Sequence, residues 1–176
     1  VPELRIWEKH KNYSLIEDDI NKLNLKSILK NFKPELIFHF AAESHVDKSI
    51  IKPIDCYNSN LMSTLRLLEA LRESNLSTTF YFVSTDEVFG STKNISFSEN
   101  SSVDPSSPYS ASKAGAELAV QAWCKTYGIN YIITNCSNNF GEFQHKDKLI
   151  PKFIQCLVKG KVFPLYGNGQ NIRDWI

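Results

Sequence analysis

A chain of 176 residues with 42% apolar and 22% charged residues can bury one good-sized core and part of a second. This composition excludes a disordered chain, and a formal charge of +1 gives no support to a nucleic-acid or anionic-membrane footprint. No apolar run reaches transmembrane length, and no signal-peptide pattern occurs. The cysteines Cys56, Cys124, Cys136 and Cys156 lie far apart with no CxxC spacing, so buried free thiols in a reducing cytosol are expected rather than disulfides or a metal site. His39 and His45 have no third ligand at a recognised spacing and read as structural, leaving no metal site. The chain starts on Val1 and ends on Arg173-Asp174-Trp175-Ile176 without a tail signal, which suggests an internal portion of a longer protein.

In chain order, Tyr13 to Glu17 is a short apolar run expected as a strand, followed by the acidic Glu17-Asp18-Asp19-Ile20. Leu25, Ile28, Leu29 and Phe32 recur at helical spacing, and Pro34 closes that helix. Leu36 to Ala42 is a continuous apolar run, as for a parallel strand buried on both faces. The polar loop Glu43-Ser44-His45-Val46-Asp47 follows. Pro53 then opens a longer helix with Tyr57, Leu61, Leu65, Leu68 and Leu71 on one stripe. Thr79 to Ser84 is the next strand, and residues 91 to 107 read as a Ser-, Asn- and Pro-rich surface loop. Ser107 and Pro108 are the cap and first position of a helix that Gly128 stops. Tyr131 to Cys136 is a strand and Asp147 to Lys159 a helix. A short strand near Val162 to Tyr166 and a turn at Gly167-Asn168-Gly169 end the pattern. Alternating helices and fully apolar strands predict an α/β fold with a parallel sheet.

Ligands of such sheets bind at the carboxyl ends of the strands. Three expected strands end there in polar clusters: Ala41-Ala42-Glu43-Ser44, Thr85-Asp86-Glu87 and Ser137-Asn138-Asn139. Any one could be an ordinary loop; together they point to a site. A second constellation is Tyr109-Ser110-Ala111-Ser112-Lys113, where helical spacing puts phenol and ammonium on one face. A neighbouring ammonium would lower the phenol's pKa and make it a general base for a substrate hydroxyl. Alone, this spacing is unspecific; at a capped helix start, beside a polar strand end, it carries more.

Tyr109-x-x-x-Lys113 with Ser84-Thr85 upstream resembles the extended short-chain dehydrogenase/reductase superfamily. Thr85-Asp86-Glu87-Val88-Phe89-Gly90 is similar to the nucleotide-sugar 4,6-dehydratases within it. The stretches His39 to Asp47, Ser137-Asn138-Asn139-Phe140-Gly141, Lys148-Leu149-Ile150-Pro151 and Asn171 to Trp175 resemble the dTDP-glucose 4,6-dehydratase family pattern, in order, along nearly the whole chain. Epimerases of the superfamily usually lack the Asp-Glu pair.

The resemblance implies a Rossmann-like doubly wound sheet: residues 1–143 as a partial NAD-binding domain with the catalytic residues, and 144–176 as the beginning of a sugar-nucleotide-binding region. It implies a lyase that removes water from a nucleotide-activated hexose, dTDP-glucose to the 4-keto-6-deoxy sugar, with tightly held NAD. Tyr109, with Lys113, would take the 4-hydroxyl proton as hydride leaves C4 for NAD, with Thr85 on the 4-oxygen. Glu87 would remove the C5 proton, now acidified by the ketone, Asp86 would protonate the departing 6-hydroxyl, and the hydride would return to C6. Two adjacent carboxylates suit this because one must begin ionised and the other protonated. The implied cofactor contacts are Asp19, Ile20, Phe40, Ala41, Ala42, Glu43, Ser44, Ser59, Asn139, Tyr109 and Lys113. The implied substrate contacts are Ser44, Thr85, Asn138, Lys148, Leu149, Pro164, Leu165, Tyr166 and Arg173, the last a diphosphate ligand. A cytoplasmic homodimer is implied, through helices near 53–74 and 108–127, whose small residues Ala114, Gly115 and Ala119 either allow close approach or pack on the sheet. Other sugar-nucleotide dehydratases, epimerases or decarboxylases, or a non-catalytic sugar-nucleotide binder, are the alternative readings. Phe89 and Phe140 stand where the family usually has tyrosine, Asn135 where it has arginine and Glu142 where it has proline. No G-x-x-G-x-x-G loop occurs, so the phosphate cradle and first two strands are expected to be missing, with the run at Tyr13 orphaned and the isolated chain inactive.

Overall fold

The computed structural model describes residues 10–92, 96–165 and 167–176, which fall into two compact units, Glu17–Cys136 and the pair of segments 1–16 and 137–176. The larger unit is built on a parallel sheet of three strands, β1 (Leu36–His39), β2 (Thr79–Thr85) and β3 (Asn130–Cys136), in the order β1-β2-β3. Its helices are α1 (Leu25–Phe32), α2 (Val46–Ile51), α3 (Pro53–Tyr57), α4 (Ser63–Ser74) and α5 (Pro108–Tyr127), with a π-turn at Asn58–Met62 between α3 and α4. In register, His39 faces Phe82 and Thr85 faces Cys136. β1 therefore leaves the sheet before β2 does, and the end of β2 has β3 alone as a neighbour.

The core lies on one face of the sheet. Phe80 and Phe82 point into it against Leu29 of α1, Leu67, Leu68 and Leu71 of α4, and Ala116, Val120 and Cys124 of α5. On the other face Leu36, Phe38 (54% exposed) and Ile132 are open, with the Phe38 ring 4.9 Å from that of Tyr81. The expectation of strands buried on both faces is thus met on one face only. Both crossovers between successive parallel strands pass on the same side, so α1, α4 and α5 all pack there. β1 is also shorter than the apolar run Leu36 to Ala42: its pairing with β2 stops at His39–Phe82, although β2 runs on to Thr85.

Helix α5 is the best-determined element from its sequence. Ser107 caps it through the Ser110 N–H, with the Ser110 hydroxyl returning to the Ser107 N–H in a capping box, and Pro108 takes the first turn. Gly128, at φ 68°, ends it in the left-handed conformation that glycine adopts freely. The long helix after Pro53 differs from its expected stripe. Its π-turn inserts an extra residue and rotates the rest of the helix about its axis. Cys56, Asn60, Ser63 and Thr64 turn inward, while Tyr57, Leu61 and Leu65 are half-buried. The expected loop around His45 becomes α2, a short helix that periodicity was too brief to show.

Two expected strands form no ladder among the described residues: residues 13–17 are unpaired, as expected of an orphaned run, with Tyr13, Leu15 and Ile16 exposed, and residues 162–165 have no ladder partner either. An apolar run needs a neighbour for its backbone groups before it becomes a strand. In the smaller unit, α6 (Leu149–Val158) forms as expected, and a parallel bridge joins Asn138 to Trp175. The cysteines are free, but only Cys56 and Cys124 are buried; Cys136 and Cys156 are half-buried. No group of His, Cys, Asp or Glu among the described residues could hold a metal ion, and no described helix is long and apolar enough to cross a membrane.

Candidate active site

Strand β2 ends at Thr85 in a polar knot. Asp86–Phe89 forms a single 3₁₀ turn whose first N–H groups would be orphaned, and the Thr85 hydroxyl meets them: it accepts from the Glu87 N–H at 3.3 Å and donates to Asp86 Oδ1 at 3.2 Å. The same hydroxyl lies beside the phenol of Tyr109. Asp86 and Glu87 are half-buried at this lip. Behind them Gly90, at φ 83° and ψ −142°, turns the chain so tightly that an added Cβ would collide with the Asp104 carbonyl. Phe89 is buried against Phe97, ring centroids 5.5 Å apart, so its ring here packs and needs no hydroxyl partner.

Tyr109 is seated by its backbone as well as its ring. Its N–H donates to Ser49 Oγ of α2 at 3.1 Å, and its carbonyl accepts from Ser112 Oγ at 2.7 Å. Ser112 Oγ accepts in turn from the side-chain amide of Asn60 at 2.9 Å. Asn60, 1% exposed on the π-turn, also exchanges two hydrogen bonds with the backbone of Glu43, at 2.7 and 3.1 Å. It thereby locks the loop after β1 to the turn that carries Tyr109. Thr64 donates to the Asn60 carbonyl at 2.6 Å, so its hydroxyl accepts from His39 Nε2–H at 2.9 Å. The single hydroxyl proton of Thr64 requires the Nε2–H form of His39. Asn60, Ser49 and Thr64 were not singled out in the sequence; the available signal was a polar residue on the inward side of an apolar helix.

The electrostatics correct one expectation. Burial, and then the charge of Glu87, raise the Tyr109 phenol well above its ordinary range, while the Thr85 hydrogen bond opposes this. Lys113 does not face the phenol. Its ammonium donates to the Val83 carbonyl at 2.7 Å and sits 4.2 Å from the centre of the Phe82 ring. Burial depresses Lys113 to about 8. Helical spacing placed both residues on one face, but the carbonyl and the ring decided where a flexible ammonium points. His39 is pushed down to about 4, first by burial and then by the charge of Lys113.

The other expected site residues are spread over both units. The turn at Asp19 and Ile20 is tethered to the π-turn: Asp19 Oδ1 accepts from Asn21 N–H at 2.9 Å, and the Asn21 side chain donates to the Asn58 carbonyl at 3.2 Å, next to Ser59. Phe40, Ala41 and Ser44 are exposed after β1, and Ala42 and Glu43 are half-buried. A cleft of about 590 Å³ opens beside this loop, lined by Glu43, Lys48, Ile51, Cys56 and Ser59 among others. In the smaller unit, the Asn138 N–H and side chain both donate to the Asp174 carbonyl at 3.2 Å, beside exposed Arg173. The Asn139 side chain donates to the Ser137 carbonyl at 3.1 Å. Lys148 precedes α6 and Leu149 begins it, exposed like Pro164 and Leu165. Tyr166 lies outside the described residues.

The chain is similar to known proteins along nearly its whole length. The chain is 46% identical to a dTDP-glucose 4,6-dehydratase of Haemophilus influenzae, over 98% of the chain and 54% of the relative. It is 40% identical to one from Escherichia coli, over 96% of the chain and 52% of the relative. Among solved structures it matches a dTDP-glucose 4,6-dehydratase double mutant from Streptomyces venezuelae with NAD bound, at a TM-score of 0.92 and 37% identity, covering 99% of the chain and 54% of that structure. A UDP-glucuronic acid 4-epimerase from Bacillus cereus, also with NAD, matches at a TM-score of 0.90 and 27% identity, over 99% of the chain and 55% of that structure. The chain thus spans about half the length of the relatives it matches. The fold is that of the Rossmann-like nucleotide-sugar dehydratases. A family model described as GDP-mannose 4,6 dehydratase matches residues 3–176, and the chain belongs to that family.

Proposed function

We propose that the complete protein containing this chain is an NAD-dependent hydro-lyase that converts dTDP-glucose to its 4-keto-6-deoxy product. The observation that carries this reading is the Thr85 hydroxyl, which lies beside the Tyr109 phenol and is bonded to the turn bearing Asp86 and Glu87. One hydroxyl thereby joins the group that would work at C4 to the pair that would work at C5 and C6.

The residues present fit part of an NAD site, with Asp19 and Ile20 near the adenine and Phe40 to Ser44 along the dinucleotide. The Glu43 loop is locked by Asn60 beside the cleft that reaches Ser59, and the Asp19–Ile20 turn is tethered to the same π-turn. Phe40, Ala41, Ala42, Glu43, Ser44, Ser59, Asp19, Ile20 and Asn139 would hold the cofactor, with Tyr109 and Lys113 at its ribose. When bound, NAD supplies a hydride acceptor and donor and a positive ring charge. Within the chain, Tyr109 removes the proton of the 4-hydroxyl, and the Thr85 hydroxyl bonds the 4-oxygen. Lys113 holds the end of β2 through Val83 and lends positive charge to the pocket. Glu87 accepts the C5 proton, and Asp86 delivers a proton to the departing 6-hydroxyl. Ser44, Asn138, Lys148, Leu149, Pro164, Leu165, Tyr166 and Arg173 bind the sugar nucleotide. Residues 1–143 belong to the cofactor domain, and 144–176 begin the substrate region. The protein works as a cytoplasmic homodimer; Gly115, 3.6 Å from Leu61 of its own chain at its Cβ position, serves packing within the protomer.

The test is the complete protein with dTDP-glucose and UDP-glucose, read by the alkali-induced absorbance of a 4-keto-6-deoxy sugar. Product from dTDP-glucose is expected; binding without product favours a non-catalytic relative, and product from UDP-glucose alone moves the base specificity. Glu87→Gln is expected to reduce product formation sharply, and an unchanged rate overturns its role at C5. The chain alone, lacking a glycine-rich phosphate loop, is expected to be inactive.

A further inference from the structure

We infer that Asn135, oriented by Glu117, is a positioning residue that holds the end of β2 in place for the chemistry of Thr85. Its side-chain nitrogen donates to Glu117 Oε2 at 2.8 Å and to the Thr85 carbonyl at 3.3 Å. A primary amide has two N–H groups, so both are committed, and the planar group becomes a bridge of fixed geometry. Glu117 is 7% exposed on α5, one turn beyond Lys113. Its carboxylate gives the stronger, charge-assisted bond and sets the amide's orientation. Asn135 thus ties three elements together: β3, α5 and the last residue of β2.

The tie falls where β2 needs it. β1 has already ended opposite Phe82, and Thr85 is the last residue of β2 in register with β3. The peptide after Thr85 leads directly into the 3₁₀ turn of Asp86 and Glu87. A shift of this peptide moves the Thr85 hydroxyl, which is bonded to Asp86 and the Glu87 N–H and lies beside the Tyr109 phenol. The hydroxyl of Ser84, paired in register with Asn135, is buried without a partner among the described residues. The neighbouring ties are Lys113 to the Val83 carbonyl at 2.7 Å and Cys136 Sγ to the Ser84 carbonyl at 3.5 Å, so at Thr85 itself the side-chain tie is that of Asn135. The bridge is a property of the fold, while its consequence for turnover rests on the dehydratase reading above.

The experiment uses the complete protein in two variants. Asn135→Leu removes the bridge and strands a buried carboxylate, so both melting temperature and turnover fall. Asn135→Leu with Glu117→Met replaces the whole polar pair by apolar volume, which restores stability but not the tie. In the double variant kcat for dTDP-glucose is expected to stay lowered on the order of ten- to a hundredfold, with KM within about twofold of wild type, as for a displaced catalytic group. Recovery of kcat together with melting temperature overturns the inference, and so does a double variant that fails to fold, since the pair would then be a determinant of the fold. If the wild-type protein turns over no sugar nucleotide, the functional reading fails by itself. The bridge is then judged from a crystal structure of the double variant: a Thr85 hydroxyl displaced from Asp86 Oδ1 and the Glu87 N–H supports it, and one still in place overturns it.

Discussion

The two halves of α5 are held in the fold by different forces. The first half is fastened by directed polar contacts: Ser49 and Ser112 on the Tyr109 backbone, Val83 on Lys113, and Asn135 on Glu117. The second half is held by contact of apolar surface, with Val120 and Cys124 buried in the cluster of Phe80, Phe82 and Leu68. Apolar burial is strong but non-directional, so it sets whether the helix docks. Hydrogen bonds contribute less net stability but fix distances and angles, so they set where a reacting atom lies. The functional half of the helix is therefore the half with the greater polar investment.

This contrast can be broken at four places. Tyr109→Phe removes one oxygen from the polar half. Turnover of dTDP-glucose by the complete protein should fall on the order of a hundred- to ten-thousandfold, while the melting temperature changes little; turnover within about tenfold of wild type would remove Tyr109 from the chemistry. The border between the halves should show in pH. His39, held down at about 4 against an ordinary 6.5, stays neutral in the fold. Between those values the unfolded chain binds a proton that the folded chain refuses, so stability falls as pH drops through this window, by about 3 kcal/mol. Lys113 acts in the opposite range: stability rises as pH climbs from about 8 towards 10.5. Denaturant titrations across both windows check this, and an acid slope that persists in His39→Leu would assign it to another group.

In the apolar half, Val120→Ala should cost about 2 kcal/mol, from lost methyl groups and a residual cavity, with kcat per folded molecule unchanged. A fall in kcat at intact stability would show that the two halves are not separable. Smallest is Ser107→Ala, which removes the helix cap at a cost of about 1 kcal/mol. Urea midpoints measure both substitutions.

Much of this comparison was legible in the residues themselves. Ser107-Pro108 and Gly128 bound α5 by local chemistry, and Thr85-Asp86-Glu87 was placed at a strand end by the apolar run before it. Such features depend on neighbours in sequence, so sequence carries them. The inward turn of Asn60 was not legible, because one π-turn rotates a helix without altering its composition. Nor was the direction of Lys113, because a long side chain chooses among partners that only packing supplies. The runs at Tyr13 and Val162 looked like strands and are not, because a strand exists only with its neighbour.

The residues alone thus determined the ends of α5, the existence of three paired strands, and the kinds of group delivered to one edge, since these arise from local propensity and periodicity. Tertiary structure alone decided which of those groups touch. The phenol meets Thr85 rather than Lys113, and Asn135 bridges Glu117 and the Thr85 carbonyl from 18 and 50 residues away. Contacts across such separations form only when packing has already closed the intervening loops, and no local pattern encodes them.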